Sequence, residues 1–355
     1  MNDNYNKELK ITRPDSFSNT VVFIDGLEGC GKTLFSSLIS SFDRVEKLTY
    51  SYEIEHVCTL DFLNKIESSA CSSLIQMWTD LILYNTMMSR EVNFRPSDLS
   101  SIFKHNRKFQ YIKRLFNKGD EHIPSVINNE KPILALTVHK LISCSTPIFE
   151  SLGNRVKFIE IVRHPLYMII QQSLNNEKLI NSVRDFVTYF DYNGINVPWY
   201  SKGWENEFLS LNPIEKSIVY IDKMTNLTNS IKLNMDKKSH LILTIPFEKF
   251  VIKPEDYMGK IANHMGSSIT KSTLKELKKQ NVPRKKYSDG LPLEIYKRCG
   301  WEKPDKDLNE LQEFQKRRDF VEQGVRKKYI ELLDKLSAKY ELDYLNKKLI
   351  NNGKY

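Results

Sequence analysis

The chain has no run of about eighteen apolar residues, the length a membrane span requires. Its start, Met1 to Asn19, is polar where a secretory signal would carry an apolar stretch. Both absences point to a cytoplasmic protein without a membrane span. Cysteine is scarce: five residues in 355, at positions 30, 58, 71, 144 and 299, with no CxxC pair among them. That spacing excludes a thiolate-held metal centre or a redox dithiol and predicts reduced thiols. Internal repeats and low-complexity tracts are missing too. The net charge of +9 suits any polyanion. Its densest stretch, with Lys278, Lys279, Arg284, Lys285 and Lys286, lacks the interleaved aromatics of a single-strand platform, so no nucleic-acid partner is expected.

Against those absences, 40% hydrophobic content provides a substantial core. Apolar, partly β-branched runs at Val21 to Asp25, Ile133 to Val138, Lys157 to Val162 and Leu241 to Ile245 read as buried strands, spaced widely enough for crossover helices. The reading is an α/β protein: a three-layer fold with a parallel β-sheet flanked by helices and a C-terminal helical extension. We divide it into a tail at 1–19, a core at 20–270, and a basic loop with helical extension at 271–350. Helical spacing of Leu74, Met77, Trp78, Leu81 and Ile82 places helices between Glu53 and Asn129. Residues 185–239 read as loops with one or two helices around Ile214 to Ile231. Val325, Tyr329, Leu332, Leu333, Leu336 and Tyr340 mark an amphipathic helix, and 351–355 a frayed end.

The strongest motif is Gly26-Leu27-Glu28-Gly29-Cys30-Gly31-Lys32-Thr33, a complete G-x-x-x-x-G-K-[ST] after a strand and before a helix over Lys32 to Ser41. Glycines let the backbone wrap a phosphate, whose charge the loop amides and the helix N-terminus meet. Lys32, expected to face solvent, adds a cation, and Thr33 a hydroxyl. Cys30 lies within the phosphate-binding segment without chemistry of its own. A nucleotide is therefore expected, and other residues must decide the reaction. ATP with magnesium would need an acidic residue ending a second strand. The later strands run instead into His139, Arg163 and Pro246, which leaves Asp25, Glu53 or another, unplaced carboxylate for such a metal and assigns no metal ligand.

The order of motifs resembles the P-loop sulfotransferase family. It is carried by the phosphate loop, by Thr137-Val138-His139, by Arg163-His164-Pro165 after the third strand, and by Phe247-Glu248-Lys249-Phe250 ahead of Pro254. The resemblance implies transfer of a sulfuryl group from 3′-phosphoadenosine-5′-phosphosulfate to an acceptor hydroxyl or amine. It implies Arg163 on the donor's 3′-phosphate, His139 as general base, and Lys32 at the transferred group. Arg284-Lys285-Lys286, with Gly290 after it, resembles the family's basic segment closing over the nucleotide. Two departures stand out. Lys32 replaces the family's usual threonine and looks kinase-like. Gln171 occupies the place of a family serine, with Ser173 two positions late. An ATP-dependent kinase and a nucleotide-binding protein without turnover stay open beside the transferase. His164, Glu53, Glu55 and His56 are the other base candidates. No motif marks the acceptor, so sugar, lipid, peptide and small alcohol all remain.

Overall fold

The structure is a computed structural model and describes residues 9–235, 240–289, 300–302, 305 and 307–345. Cys299, Gly290 and the expected frayed end at 351–355 lie outside the described residues.

The chain begins its core with β1 (Val21–Asp25), every residue of which is buried. After the phosphate loop come α1 (Lys32–Ile39), β2 (Thr49–Tyr50), α2 (Tyr52–Phe62), α3 (Ser68–Met87), α4 (Lys108–Arg114) and α5 (Ile123–Glu130). Then follow β3 (Leu134–Thr137), α6 (Thr146–Leu152), β4 (Val156–Val162), α7 (Pro165–Lys178), β5 (Tyr189–Tyr192), β6 (Ile195–Pro198), α8 (Glu205–Ser210) and α9 (Pro213–Asn234). The chain continues with β7 (Ile242–Pro246), α10 (Phe247–Ile252), α11 (Glu255–Met265), α12 (Lys271–Lys279), α13 (Glu310–Glu322) and α14 (Lys327–Tyr340).

Five strands form one parallel sheet in the order β2-β3-β1-β4-β7. β1 is apolar on both pleat faces because it is central and covered twice, which is why its sequence runs instead of alternating. On one face Phe149 of α6 and Phe158 of β4 have ring centroids 5.1 Å apart, and Phe158 stacks at 5.0 Å on Phe23, its register partner in β1. α1 makes the other contact, where Phe35 meets Phe250 of α10 at 4.5 Å and Ser36 Oγ accepts from Thr137 Oγ1 at 2.7 Å. The parallel sheet with flanking helices is the fold expected, and α13 and α14 pack back onto α7 and α9.

Three details correct the expected elements. α1 stops at Ile39, since Ser41 and Phe42 turn back on Leu38 and Ile39. β2 is a two-residue strand that periodicity does not reveal. The stretch expected to be loops and helices also contains an antiparallel hairpin, β5 with β6, turned by Asn193 (φ 53°) and Gly194 (φ 83°). The described part of the N-terminal tail docks on α3, with Arg13 paired to Asp80 at 2.7 Å. Among the described residues no helix is long and apolar enough to cross a membrane.

Candidate functional site

All the strands of the sheet run the same way, so their carboxyl ends share one edge, where a doubly covered α/β sheet leaves its crevice. A cavity of about 1210 Å³ opens there, lined by Glu28, Gly29, Gly31, Lys32 and Thr33 of the loop and by Glu55, His139, Lys140, Arg163, Tyr167, Gln171, Phe247, Arg284 and Arg317. Residues that stand far apart in the chain meet at this one edge.

The loop is shaped by what presses on it. A Cβ on Gly26 would lie 2.4 Å from the Ile161 carbonyl oxygen, and one on Gly31 would lie 2.3 Å from the Phe247 ring. Gly31 also has φ 101° and starts α1 without a side-chain cap, and α1 has no acidic residue in its first turn. The positive end of the helix is therefore not countered by any side-chain cap or acidic residue of its own, as an anion site requires. Lys32 is 8% exposed rather than solvent-facing, because its ammonium folds onto the carbonyls of Gly26 and of Leu27, the latter at 3.2 Å. Gln172 Nε2 donates to the Glu28 carbonyl at 2.9 Å, so the neighbour of Gln171 is the residue that holds the loop. Gln171 lines the cavity, whereas Ser173 is buried with its hydroxyl donated to Ile170 within α7. That serine is thereby removed from the expected nucleotide contacts. Cys30 is buried in the core, where desolvation raises its thiol pKa.

Arginines gather beside the loop. Arg163, directly after β4, donates from Nη1 to the Gly29 carbonyl at 2.9 Å and lies 4.4 Å from the Phe247 ring centroid and 5.5 Å from that of Tyr167. Its Nε is buried, without a hydrogen-bond partner among the described residues, 3.9 Å from Glu248. Arg284 stands 5.5 Å from the same Phe247 ring and donates to the Asn281 carbonyl at 3.2 Å. Arg317 of α13 sits 4.8 Å over Tyr167 and pairs with Glu313 at 2.6 Å. Burial lowers the Arg163 pKa, against the pull of Glu248 and with Arg317 adding to the fall. Arg284 is pushed down to about 10 by burial first and by Arg163 next. Cations crowded in this way repel one another and are relieved by a bound anion. Lys285 is exposed and does not line the cavity, which corrects its expected nucleotide contact.

On the other flank His139 follows β3 and Val138. Its Nδ1 lies 3.1 Å from Glu55 Oε1 of α2, and its ring is near-parallel to Tyr50 and Tyr52 at 6.3 and 6.0 Å. His56 is engaged with the Phe186 carbonyl at 2.7 Å. His164 is fully buried and caps α7 through Leu166 N, so it is no competitor for the base. Lys140, at φ 50°, reaches Glu28 at 2.5 Å and lies over the rings of Tyr200 and Tyr220. Burial works against charge on Glu28, yet Lys140, Lys32 and His139 outweigh it and hold its pKa below the ordinary carboxylate value.

Neither carboxylate suggested for magnesium lines this cavity. Asp25 accepts from Ile142 N at 2.7 Å, and Glu53 accepts from Ser51 at 3.3 Å. Lys32, Arg163, Arg284 and His139, all singled out from the sequence, line this one cavity, whereas Arg317, Gln172 and the part played by Phe247 come only from the structure. Only the consecutive Arg317-Arg318 pair within a helical stretch hinted at the first of these.

No family model matches the chain, and no curated protein matches it. Solved structures similar to it include the sulfotransferase domain from the curacin biosynthetic pathway, with TM-score 0.41 and 11% identity over 89% of this chain and 100% of that one. The sulfotransferase domain from the Synechococcus PCC 7002 olefin synthase aligns with TM-score 0.40 and 13% identity over 93% of this chain and 98% of that one. Sulfotransferase STF1 from Mycobacterium tuberculosis H37Rv gives 0.38 and 10% over 79% and 76%. A likeness this remote carries no functional argument, so the chemistry has to come from the side chains themselves.

Proposed function

We propose that the chain is a sulfotransferase-like enzyme that takes 3′-phosphoadenosine-5′-phosphosulfate in the large cavity and passes the sulfuryl group to an acceptor hydroxyl or amine. The observation that carries the reading is the presence of two cationic positions in one cavity, joined through one loop. Lys32 and the uncapped α1 N-terminus form the first, and Arg163 with Arg284 and Arg317 the second. A donor with phosphates at both ends of its ribose needs two such positions. A nucleotide phosphorylated only on the 5′ side needs one.

The donor supplies the activated sulfuryl group; the chain's part is to hold it and to move a proton. Lys32 meets the negative charge that builds on the departing phosphate oxygen as the sulfur–oxygen bond breaks. Glu55 on Nδ1 of His139 fixes the ring so that Nε2 is the basic nitrogen, and Nε2 takes the proton from the acceptor as the new bond to sulfur forms. His139 belongs to the same cavity as the phosphate loop, which favours turnover over binding alone. The second reading, an ATP-dependent kinase, rests on the complete Gly31-Lys32-Thr33 triplet; neither Asp25 nor Glu53 lines the cavity to serve it, and of the carboxylates that do, Glu28 is paired with Lys140 and Glu55 with His139. The four cysteines among the described residues are buried free thiols, in agreement with a cytoplasmic setting.

Thermal denaturation with a ligand panel separates the readings, since a ligand that prefers the native state raises the midpoint. Adenosine 3′,5′-bisphosphate is expected to stabilise more than ADP or 5′-AMP at equal concentration. A larger shift from magnesium-ATP would transfer the site to a kinase.

A further inference from the structure

A second cavity, of about 390 Å³, adjoins the phosphate loop and shares only Leu27, Lys140 and Arg163 with the large one. Its size falls at the lower end of the roughly 300–1,000 Å³ typical of small-molecule sites. One wall is a stripe of α9, Ile221, Met224, Thr225 and Thr228, whose spacing of three and four residues puts them on one helix face. Ile161 and Val162 of β4, Met168 of α7 and Leu336 of α14 complete an apolar lining. At the outer rim Leu233 is 78% exposed, while the charged side chains there are satisfied: Lys232 pairs with Glu160, and Lys339 with Asp343 at 2.8 Å.

The inner end is polar. Asp25 is 1% exposed, and its Oδ2 accepts from Ile142 N at 2.7 Å. Its Oδ1, also buried, has no partner of full hydrogen-bond geometry among the described residues, although the Gly26 and Leu141 amides lie close enough to the carboxyl to favour its charged form. An orphaned carboxyl oxygen at the bottom of an apolar cavity is costly, and such groups ordinarily find a partner. The large cavity cannot supply one, because Asp25 is not among its lining residues.

We propose that this second cavity binds a small aliphatic alcohol, with its hydroxyl on Asp25 Oδ1 and its chain along the α9 stripe toward Leu233. The choice of head group follows from its neighbours. An acid would set a further anion against Asp25 and Glu160, and an ammonium would bury a further cation beside Lys140 and Arg163, which line the cavity but are already tied to Glu28 and to the Gly29 carbonyl. Burial raises the Asp25 pKa while Lys32 pulls it down, and a hydroxyl fits either outcome because it both donates and accepts. The rim charges are already paired and do not call for an ionic tail. The site is independent of which nucleotide the phosphate loop takes.

The test uses 1-octanol and its isomer 1-methoxyheptane, which has the same heavy atoms and no donor, on the full chain with labelled methionine methyl groups. Octanol is expected to shift the methyl resonances of Met168 and Met224 saturably, leave those of Met77 and Met258 in place, and bind at least about tenfold tighter than the ether. Thr228→Phe should fill the cavity and abolish both shifts. Equal affinities for the two isomers would remove the role of Asp25. Undisturbed Met168 and Met224 at saturating octanol would overturn the site, and that reading needs no variant to fold.

Discussion

Arg163 donates to the carbonyl oxygen of Gly29 at 2.9 Å, so the arginine that leaves β4 is tied to the backbone of the phosphate loop. Whatever anion Arg163 holds is registered against the loop that holds the other. Arg163→Ala should therefore lose a charge-assisted hydrogen bond, roughly 1.5–3 kcal/mol, toward adenosine 3′,5′-bisphosphate and much less toward 5′-AMP. Calorimetric titration of both ligands reads the difference, and equal losses would contradict the 3′-phosphate assignment.

Arg317 should behave as a third member of that cluster. Arg317→Lys keeps one positive charge but gives up the planar fork and its place over Tyr167. We expect it to weaken adenosine 3′,5′-bisphosphate by about fivefold or more, with little change in the thermal midpoint. A loss of midpoint at unchanged affinity would make Arg317 a packing residue paired to Glu313.

Lys32→Ala removes the ammonium that bridges the Gly26 and Leu27 carbonyls and leaves a short side chain at the cavity edge. Affinity for every phosphate-bearing nucleotide should fall while the far-ultraviolet dichroism is retained. A folded variant with unchanged affinity would end the phosphate-loop assignment.

For the chemistry, His139→Asn retains a polar group but no basic nitrogen, and turnover of an acceptor should drop by about a hundredfold to ten-thousandfold with donor binding nearly intact. Glu55→Gln should give a smaller loss of turnover, because the ring loses the carboxylate that orients it. Full turnover in His139→Asn would send the search for a base elsewhere.

Glu28 gives a stability test with a definite sign. Its folded pKa is held below the ordinary 4.5, so its pair with Lys140 contributes stability above that value and loses it as pH falls through the folded one. Glu28→Gln should cost roughly 1.5–3 kcal/mol near neutrality. The difference from the parent should shrink on titration below about pH 4, as followed by urea unfolding. A constant difference down to pH 2 would show that the charge is not what the pair contributes.

Much of this arrangement could be read before any coordinates, for physical reasons. The central strands are covered on both sides and so announce themselves as apolar runs, and the phosphate loop is local, with all its parts in eight consecutive residues. The hairpin of β5 and β6 is not apparent from periodicity: Asn193-Gly194 is a turn pair that such hairpins favour, but Pro198 and the surrounding polar residues mask the strands. What stayed hidden is non-local. Gln172 instead of Gln171 reaching the loop depends on the phase of α7, and Arg317 meeting Arg163 depends on how α13 lies against α7. The exposed Lys285 beside the cavity-lining Arg284 makes the same point: a run of like charges gives no hint of which member turns inward.

Arg317 stands 284 positions after Thr33 in the chain. At roughly 5–20 residues per second, a ribosome that has released the phosphate loop works for about a quarter of a minute to a minute before it delivers the last arginine. Tyr340, which donates to Glu248 beside Arg163 at 2.5 Å, follows later still. During that interval Ile161, Arg163, Phe247 and Arg284 are added in turn, so the packing that shapes the loop and the cluster beside it are completed only stepwise. On the proposed reading, full discrimination between donors is therefore a property that the polypeptide completes only near the end of its synthesis, and a truncated product ending before α13 would keep Arg163 and Arg284 but discriminate less sharply.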